Sequence, residues 1–238
     1  MRIPLPAFLL PLMLAACNTA HHQAPPPPLE EASVKPGVNE RFLAPDVDVE
    51  QFTETFEGES REIAVHKDAI VRALDIAAGR RLADVGSGTG LFLGDLNRAV
   101  GARGKVYAVD ISPGFVEHLR ARVRAEGLDR VQVVLCGERS VELPEASIDV
   151  AFVCDTYHHF EYPRSTLASL HRALRRGGIL YVVDFERIPG VSREWLLDHV
   201  RADKQTFTAE IVAAGFELER EIEVQGLEEN YLLRFRRR

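Results

Sequence analysis

The chain has 238 residues, 46% hydrophobic and 27% charged. That composition fits one globular domain plus a tail, long enough to bury a core without disulfides or metals. Its 29 basic and 36 acidic residues leave a net charge of −7, which argues against a phosphate-backbone partner and so against nucleic acid; the closing "RFRRR" reads as a solvated strand end.

Residues 1–16 run from a short cationic start (Met1, Arg2) through an apolar stretch to small residues, the order of a signal peptide. The stretch is too short for an ordinary membrane-spanning helix, and Pro4, Pro6 and Pro11 weaken one. Leu14-Ala15-Ala16-Cys17 resembles the lipobox of bacterial lipoproteins. The resemblance implies lipidation of Cys17, export and, with Asn18 rather than aspartate next, the periplasmic face of the outer membrane. A disordered apolar leader on a misjudged start codon, with a cytoplasmic protein behind it, is the alternative. Residues 17–37 then form a linker rich in Pro, Ala, His and Glu, with Pro25 to Pro28 an extended polyproline spacer. His21 and His22 in such a tether read as bystanders.

From Val38 the pattern alternates helix and strand. Arg61 to Gly79 places Ile63, Ile70, Val71 and Leu74 on one helical face, stopped by Gly79. "RLADVG" is a strand, "GLFLGDLNRAV" a helix and "KVYAVD" a second strand. The helix that follows has Ser112 as N-cap, Pro113 at its first position and Gly127 as its stop. "VQVVLC", "IDVAFVCD" and "GILYVVDF" are short β-branched runs, with "RSTLASLHRALRR" a helix between the last two. One helix near Arg193 to Ala214 leads into "FELEREIEV" and "NYLLRFRR", joined at Gly226. Repeated strand–helix units predict a doubly wound, mostly parallel α/β sheet, and the closing hairpin adds an antiparallel strand.

In such a sheet ligands bind beyond the carboxyl ends of the strands. There the first strand ends in Asp84-Val85-Gly86-Ser87-Gly88-Thr89-Gly90, whose glycines allow a tight turn and a close ligand approach at a helix N-terminus. The dinucleotide fingerprint is spaced G-x-G-x-x-G; here the glycines are 86, 88 and 90, followed by Leu91, which disfavours a nicotinamide dehydrogenase. An acid beside backbone amides suits a zwitterion, with an ammonium to pair and a carboxylate to accept amide hydrogens. Asp110, ending the second strand, is placed for both hydroxyls of a ribose.

These residues resemble the class I S-adenosylmethionine-dependent methyltransferases over about Val38 to Arg238. "DVGSGTG" looks like their cofactor loop, "VYAVDIS" their ribose-acid strand, "LPEASIDVAFV" the approach to their fourth strand and "LRRGGIL" the turn into the fifth. The nearest branch is similar to quinone-biosynthesis C-methyltransferases. The resemblance implies a Rossmann-like seven-stranded sheet of order 3-2-1-4-5-7-6 with N-terminal helices, and S-adenosyl-L-methionine as cofactor. It puts Asp84 and Gly86 at the methionine moiety, Asp110 at the ribose and Gly137 or Glu138 at the adenine edge, with Ser87, Gly88, Thr89, Gly90, Ile111 and Asp155 also among the cofactor-binding residues. "GERSVELP" there is one residue longer than the family's usual segment.

The implied activity is methyl transfer to a small-molecule or lipid-like acceptor; an anchored ligand-binding module without turnover is the alternative. "CDTYHHFEYP" (Cys154 to Pro163) ends the fourth strand, with His158 or His159 as base and Asp155 and Tyr157 lining the transfer site; the plainer reading packs one histidine under the sheet and lets the other cap the next helix. "FEGESREI" is either a lid with Glu59 and Arg61 inward or a capping box opened by Ser60. Trp195 reads as helix packing on the sheet, and no metal-ligand spacing is visible. In the implied order the strands near Cys136 and Cys154 are three positions apart, about 14 Å, too far for a disulfide. The domain thus shows no adaptation to an oxidising compartment.

Overall fold

The computed structural model describes residues 30–58 and 61–238. The signal peptide, Cys17, the paired histidines and the polyproline run all lie outside the described residues, as do Glu59 and Ser60.

Seven strands make one sheet: β1 (Arg81–Val85), β2 (Lys105–Asp110), β3 (Val131–Leu135), β4 (Ile148–Cys154), β5 (Leu174–Phe185), β6 (Phe216–Glu221) and β7 (Asn230–Arg237). Their order is β3-β2-β1-β4-β5-β7-β6. The first five pair in parallel, and β7 runs antiparallel to both β5 and β6. This is the expected Rossmann-like methyltransferase fold. Period-two alternation sends Leu82, Val106, Ala108 and Phe152 to one face and Ala83, Val85, Val109 and Val153 to the other. The first face packs on α4 (Lys67–Ala73), α5 (Leu93–Ala99) and α6 (Pro113–Ala125); the second packs on α7 (Pro163–Ala173) and α9 (Lys204–Ala213).

Helix α6 starts as its sequence requires, with Ser112 Oγ accepting from Phe115 N–H at 3.4 Å. Elsewhere the helices are more broken than their hydrophobic period predicts. The span 61–79 divides at His66 into α3 (Glu62–Val65) and α4. The span 193–214 divides into α8 (Glu194–His199) and α9, because Asp203 caps a fresh start through Thr206 N–H at 2.8 Å. Helix α7 stops at Ala173, and Leu174 already pairs with Ile148, so the arginine–glycine segment belongs to β5.

Two short helices, α1 (Glu40–Leu43) and α2 (Val49–Phe56), precede α3 and cover the carboxyl edge of the sheet. The linker boundary at residue 37 shifts toward the N-terminus. Glu31 accepts from Arg164 N–H, Ser165 N–H and Ser165 Oγ at 2.8, 2.8 and 2.7 Å. Lys35 Nζ donates to the carbonyls of Asp198 and His199 at 3.1 and 2.7 Å. Residues 31–35 are therefore part of the folded unit.

Candidate functional site

Order reverses between β1 and β4, and the crevice at such a switch point is where this sheet type opens to ligands. A cavity of about 790 Å³ lies there, within the usual range for small-molecule sites. Its polar wall is the turn after β1. Gly86 N–H and Ser87 N–H both donate to Val109 O, at 2.8 and 3.1 Å, which binds the turn to β2. Gly86 has φ +74°, and a methyl there would run into the Thr156 side chain. Glycine is required because two loops touch, not only because the turn is tight.

Asp84 and Asp110 flank that turn, both buried. Asp110 Oδ2 accepts from Gly88 N–H and Oδ1 from Ser112 N–H, each at 2.8 Å. Burial pushes Asp110 up to about 6 against these bonds. Burial, with the charge of Asp110 adding, pushes Asp84 up to about 7. Asp155, with φ +46°, is held by Arg61 through one oxygen and by Asn230 Nδ2 at 2.6 Å through the other. Burial raises it to about 7, opposed by the Arg61 charge.

The expected site residues divide in two. Asp84, Gly86, Ser87, Gly88, Thr89, Asp110, Ile111, Gly137, Glu138, Asp155, His158 and His159 all border the cavity. Gly90 and Tyr157 do not. A Cβ on Gly90 would press on Leu119 and Leu93, so that glycine serves helix packing. Tyr157 is fully buried between Phe160 and Phe207, and its hydroxyl donates to Glu210 at 2.9 Å on the other side of the loop. It cannot touch a molecule in the cavity.

Several other residues line the cavity. Arg61 points inward, as the lid reading has it; α3 takes Arg61 itself as N-cap, while Ser60 is outside the described residues. Trp195 is not packed on the sheet: it is 46% exposed and meets Phe185 edge-on at 5.6 Å at the cavity mouth. The covering helices bring Phe42, Phe52 and Phe56 against Phe115 of α6, with centroids 5.2 to 6.3 Å apart. Both thiols are free and border the cavity. Burial pushes Cys136 up to about 12 and Cys154 well above its usual value, so both stay protonated.

His158 is buried and hydrogen-bonded, as the plainer reading has one histidine, but the N-cap of the next helix, Tyr162, makes no side-chain capping bond. The loop after β4 makes one 3-10 turn, Tyr157–His159, that aims both imidazoles at the cavity. His158 Nδ1 lies 2.8 Å from Asp184 Oδ1, and its Nε2 lies 3.1 Å from Nε2 of His199. His159 meets Phe42 edge-on at 5.1 Å. Spacing along the chain gave no sign of His199, because α8 turns it back from a distant segment.

Residues 83–182 match the family model described as "Methyltransferase domain". Over those residues the chain is similar to that family. An uncharacterized 37.1 kDa protein of transposon Tn4556 in Streptomyces fradiae is 37% identical over 48% of this chain and 33% of its own length. The demethylmenaquinone methyltransferase of Geobacillus stearothermophilus is 28% identical over 50% of each chain. The chain thus spans half or less of these two curated relatives. A crystal structure of a SAM-dependent methyltransferase from Aquifex aeolicus superposes with TM-score 0.70 at 23% identity, covering 79% of this chain and 98% of that one. That enzyme is described as SAM-dependent, and the residues present in this cavity fit S-adenosylmethionine. The cavity wall offers a buried carboxyl that lacks a cation at Asp84, and at Gly88 nothing nearer than the Phe56 ring at 3.6 Å would meet a Cβ.

Proposed function

We propose that this chain transfers a methyl group from S-adenosylmethionine to a small, largely apolar acceptor held in the same cavity. The observation that carries this reading is the glycine turn after β1, flanked by buried Asp84 and Asp110. Bound there, the cofactor supplies a methyl group on a positively charged sulfur. Asp84 pairs with an ammonium that offsets its burial. Each oxygen of Asp110 already accepts one backbone N–H and keeps a lone pair for a ribose hydroxyl. Gly137 and Glu138 border the adenine end, and Asp155, clamped by Arg61 and Asn230, stands between cofactor and acceptor. Much of the catalysis is then positioning, with the acceptor atom held on the carbon–sulfur axis.

The acceptor end is aromatic, lined by Phe42, Phe185 and Trp195 with the two histidines. That lining, and the likeness to a demethylmenaquinone methyltransferase, support a ring-bearing, quinone-like acceptor. A binding module without turnover is the less favoured reading, since Asp84, the three glycines and Asp110 are all present.

Calorimetric titration with S-adenosylmethionine tests the proposal. We expect one site per chain, weakened about 10- to 100-fold in Asp110→Ala through loss of charge-assisted bonds. No binding heat, or an unchanged variant, overturns it.

The leader supports a separate proposal, that Cys17 is lipidated and holds the exported protein at the outer membrane. Fractionation of wild type and Cys17→Ala tests it: the wild type is expected in the membrane fraction and the variant released, and a wild type found in the cytosol refutes the anchor.

A further inference from the structure

Three imidazoles converge at the acceptor end of the cavity. His158 and His159 come from the turn after β4, and His199 from the end of α8, 41 residues beyond His158. Taking one donor nitrogen from each, all lie within 4.8 Å of one another. A four-coordinate ion with metal–nitrogen bonds of about 2.0–2.1 Å places neighbouring nitrogens about 3.3 Å apart. The 3.1 Å between Nε2 of His158 and Nε2 of His199 suits that arrangement, and it also suits a nitrogen–nitrogen hydrogen bond.

Two further features favour an ion. His159 Nδ1 is buried with no hydrogen-bond partner, and a bond between the other two rings does nothing to satisfy it. His158 is also braced from behind by Asp184, which is fully buried. The amides of Phe185 and His158 donate to that carboxylate at 2.8 and 3.1 Å. They mark it as an acceptor, so Nδ1 of His158 carries the proton and donates, leaving the Nε2 lone pair free toward His199. A carboxylate behind a histidine is the arrangement that fixes ring and tautomer for a metal.

We infer that His158, His159 and His199 form a binding site for a divalent transition-metal ion of the zinc class, with Asp184 as the positioning residue behind His158. Three nitrogen donors without a thiolate suit such ions. The nearby cations are already engaged. Arg61 pairs with Asp155 and Arg201 with Glu210, Lys35 is bonded to two carbonyls, and Arg41 lies over the rings of Phe42 and Phe52.

Three protein ligands leave one position of a four-coordinate ion open, as in catalytic rather than structural sites. All three histidines border the cavity, so that position is available to a molecule bound there. The use of the ion in methyl transfer rests on the function proposed above: it would hold an oxygen of the acceptor and lower that oxygen's pKa. Binding of the ion itself does not depend on that function.

The test uses the untagged 238-residue chain carrying His21→Ala and His22→Ala, so that the linker's imidazoles contribute nothing. After chelator treatment it is titrated with zinc chloride, and separately with cobalt chloride while visible absorption is recorded. We expect one equivalent of zinc per chain and the d–d bands of nitrogen-bound cobalt. His199→Ala and His159→Ala should lose about 100-fold or more in affinity, and Asp184→Asn about 10- to 100-fold. His171→Ala, whose ring packs on Phe216 away from the cavity, should bind as the parent does. A parent protein that retains no zinc, or a His199→Ala protein that binds as tightly, overturns the site. S-adenosylmethionine titrated into the same samples separates the two proposals. Cofactor binding without zinc binding removes only this inference, and zinc binding without cofactor binding upholds it while removing the function.

Discussion

Asp84 stands where a free carboxylate is unfavourable. Its folded value of about 7 lies far above the usual carboxylate range, so near neutrality the ligand-free protein keeps part of its population protonated there. An ammonium alongside favours the charged form and draws that value down, which makes binding release a proton. The sign follows directly: affinity for S-adenosylmethionine rises from about pH 6 to about pH 8 and levels off once Asp84 is ionised in both states. Calorimetry in two buffers of different ionisation enthalpy measures the proton released. We expect Asp84→Asn to bind weakly and without the pH slope. A wild-type affinity that is flat across this interval would separate Asp84 from the ammonium. The carboxyl was legible in the sequence, because an acid opening a glycine turn has few other roles. Its perturbation was not, because it depends on how deeply the strand end is buried.

At the scale of elements, helix α7 shows how far a cap can travel. Its N-cap residue, Tyr162, makes no side-chain capping bond. Glu31 supplies the missing acceptor from 133 residues earlier in the chain, binding two amides and a hydroxyl of the first turn. Glu31→Ala should cost about 1 kcal/mol, read as a lowered melting temperature. An unchanged melting temperature would mean that this distant cap contributes nothing to stability. Strand order, the turn after β1 and the cap of α6 were readable because each depends on neighbours in sequence. The breaks at His66 and before Asp203 were not, since the apolar period continues through both. Nor were His199 and Trp195: α8 carries them to the cavity mouth, and nothing in their own segment marks them as more than one more helix on the sheet.

For the molecule as a whole, every functional group described lies on the carboxyl edge of one sheet, and residues 39–63 close over that edge. Arg61 fastens this cover to Asp155 over the cavity, and Glu57 fastens it to the glycine turn. Glu57 accepts from Thr89 Oγ1 at 2.8 Å, in the glycine turn itself, and from Arg122 of α6 at 2.6 Å. The pair is partly exposed, so salt screens it. Lifting the cover therefore means parting charges rather than peeling apolar surface alone, and dwell time in the pocket becomes a property separate from fit. Release of S-adenosylhomocysteine should quicken with ionic strength in the wild type and be fast at any ionic strength in Glu57→Gln; stopped-flow displacement reads both. Equal release rates from the two proteins would show the fastening to be idle. On this view the glycine turn has a latch as well as a cradle, and Glu57 governs how long the door stays shut.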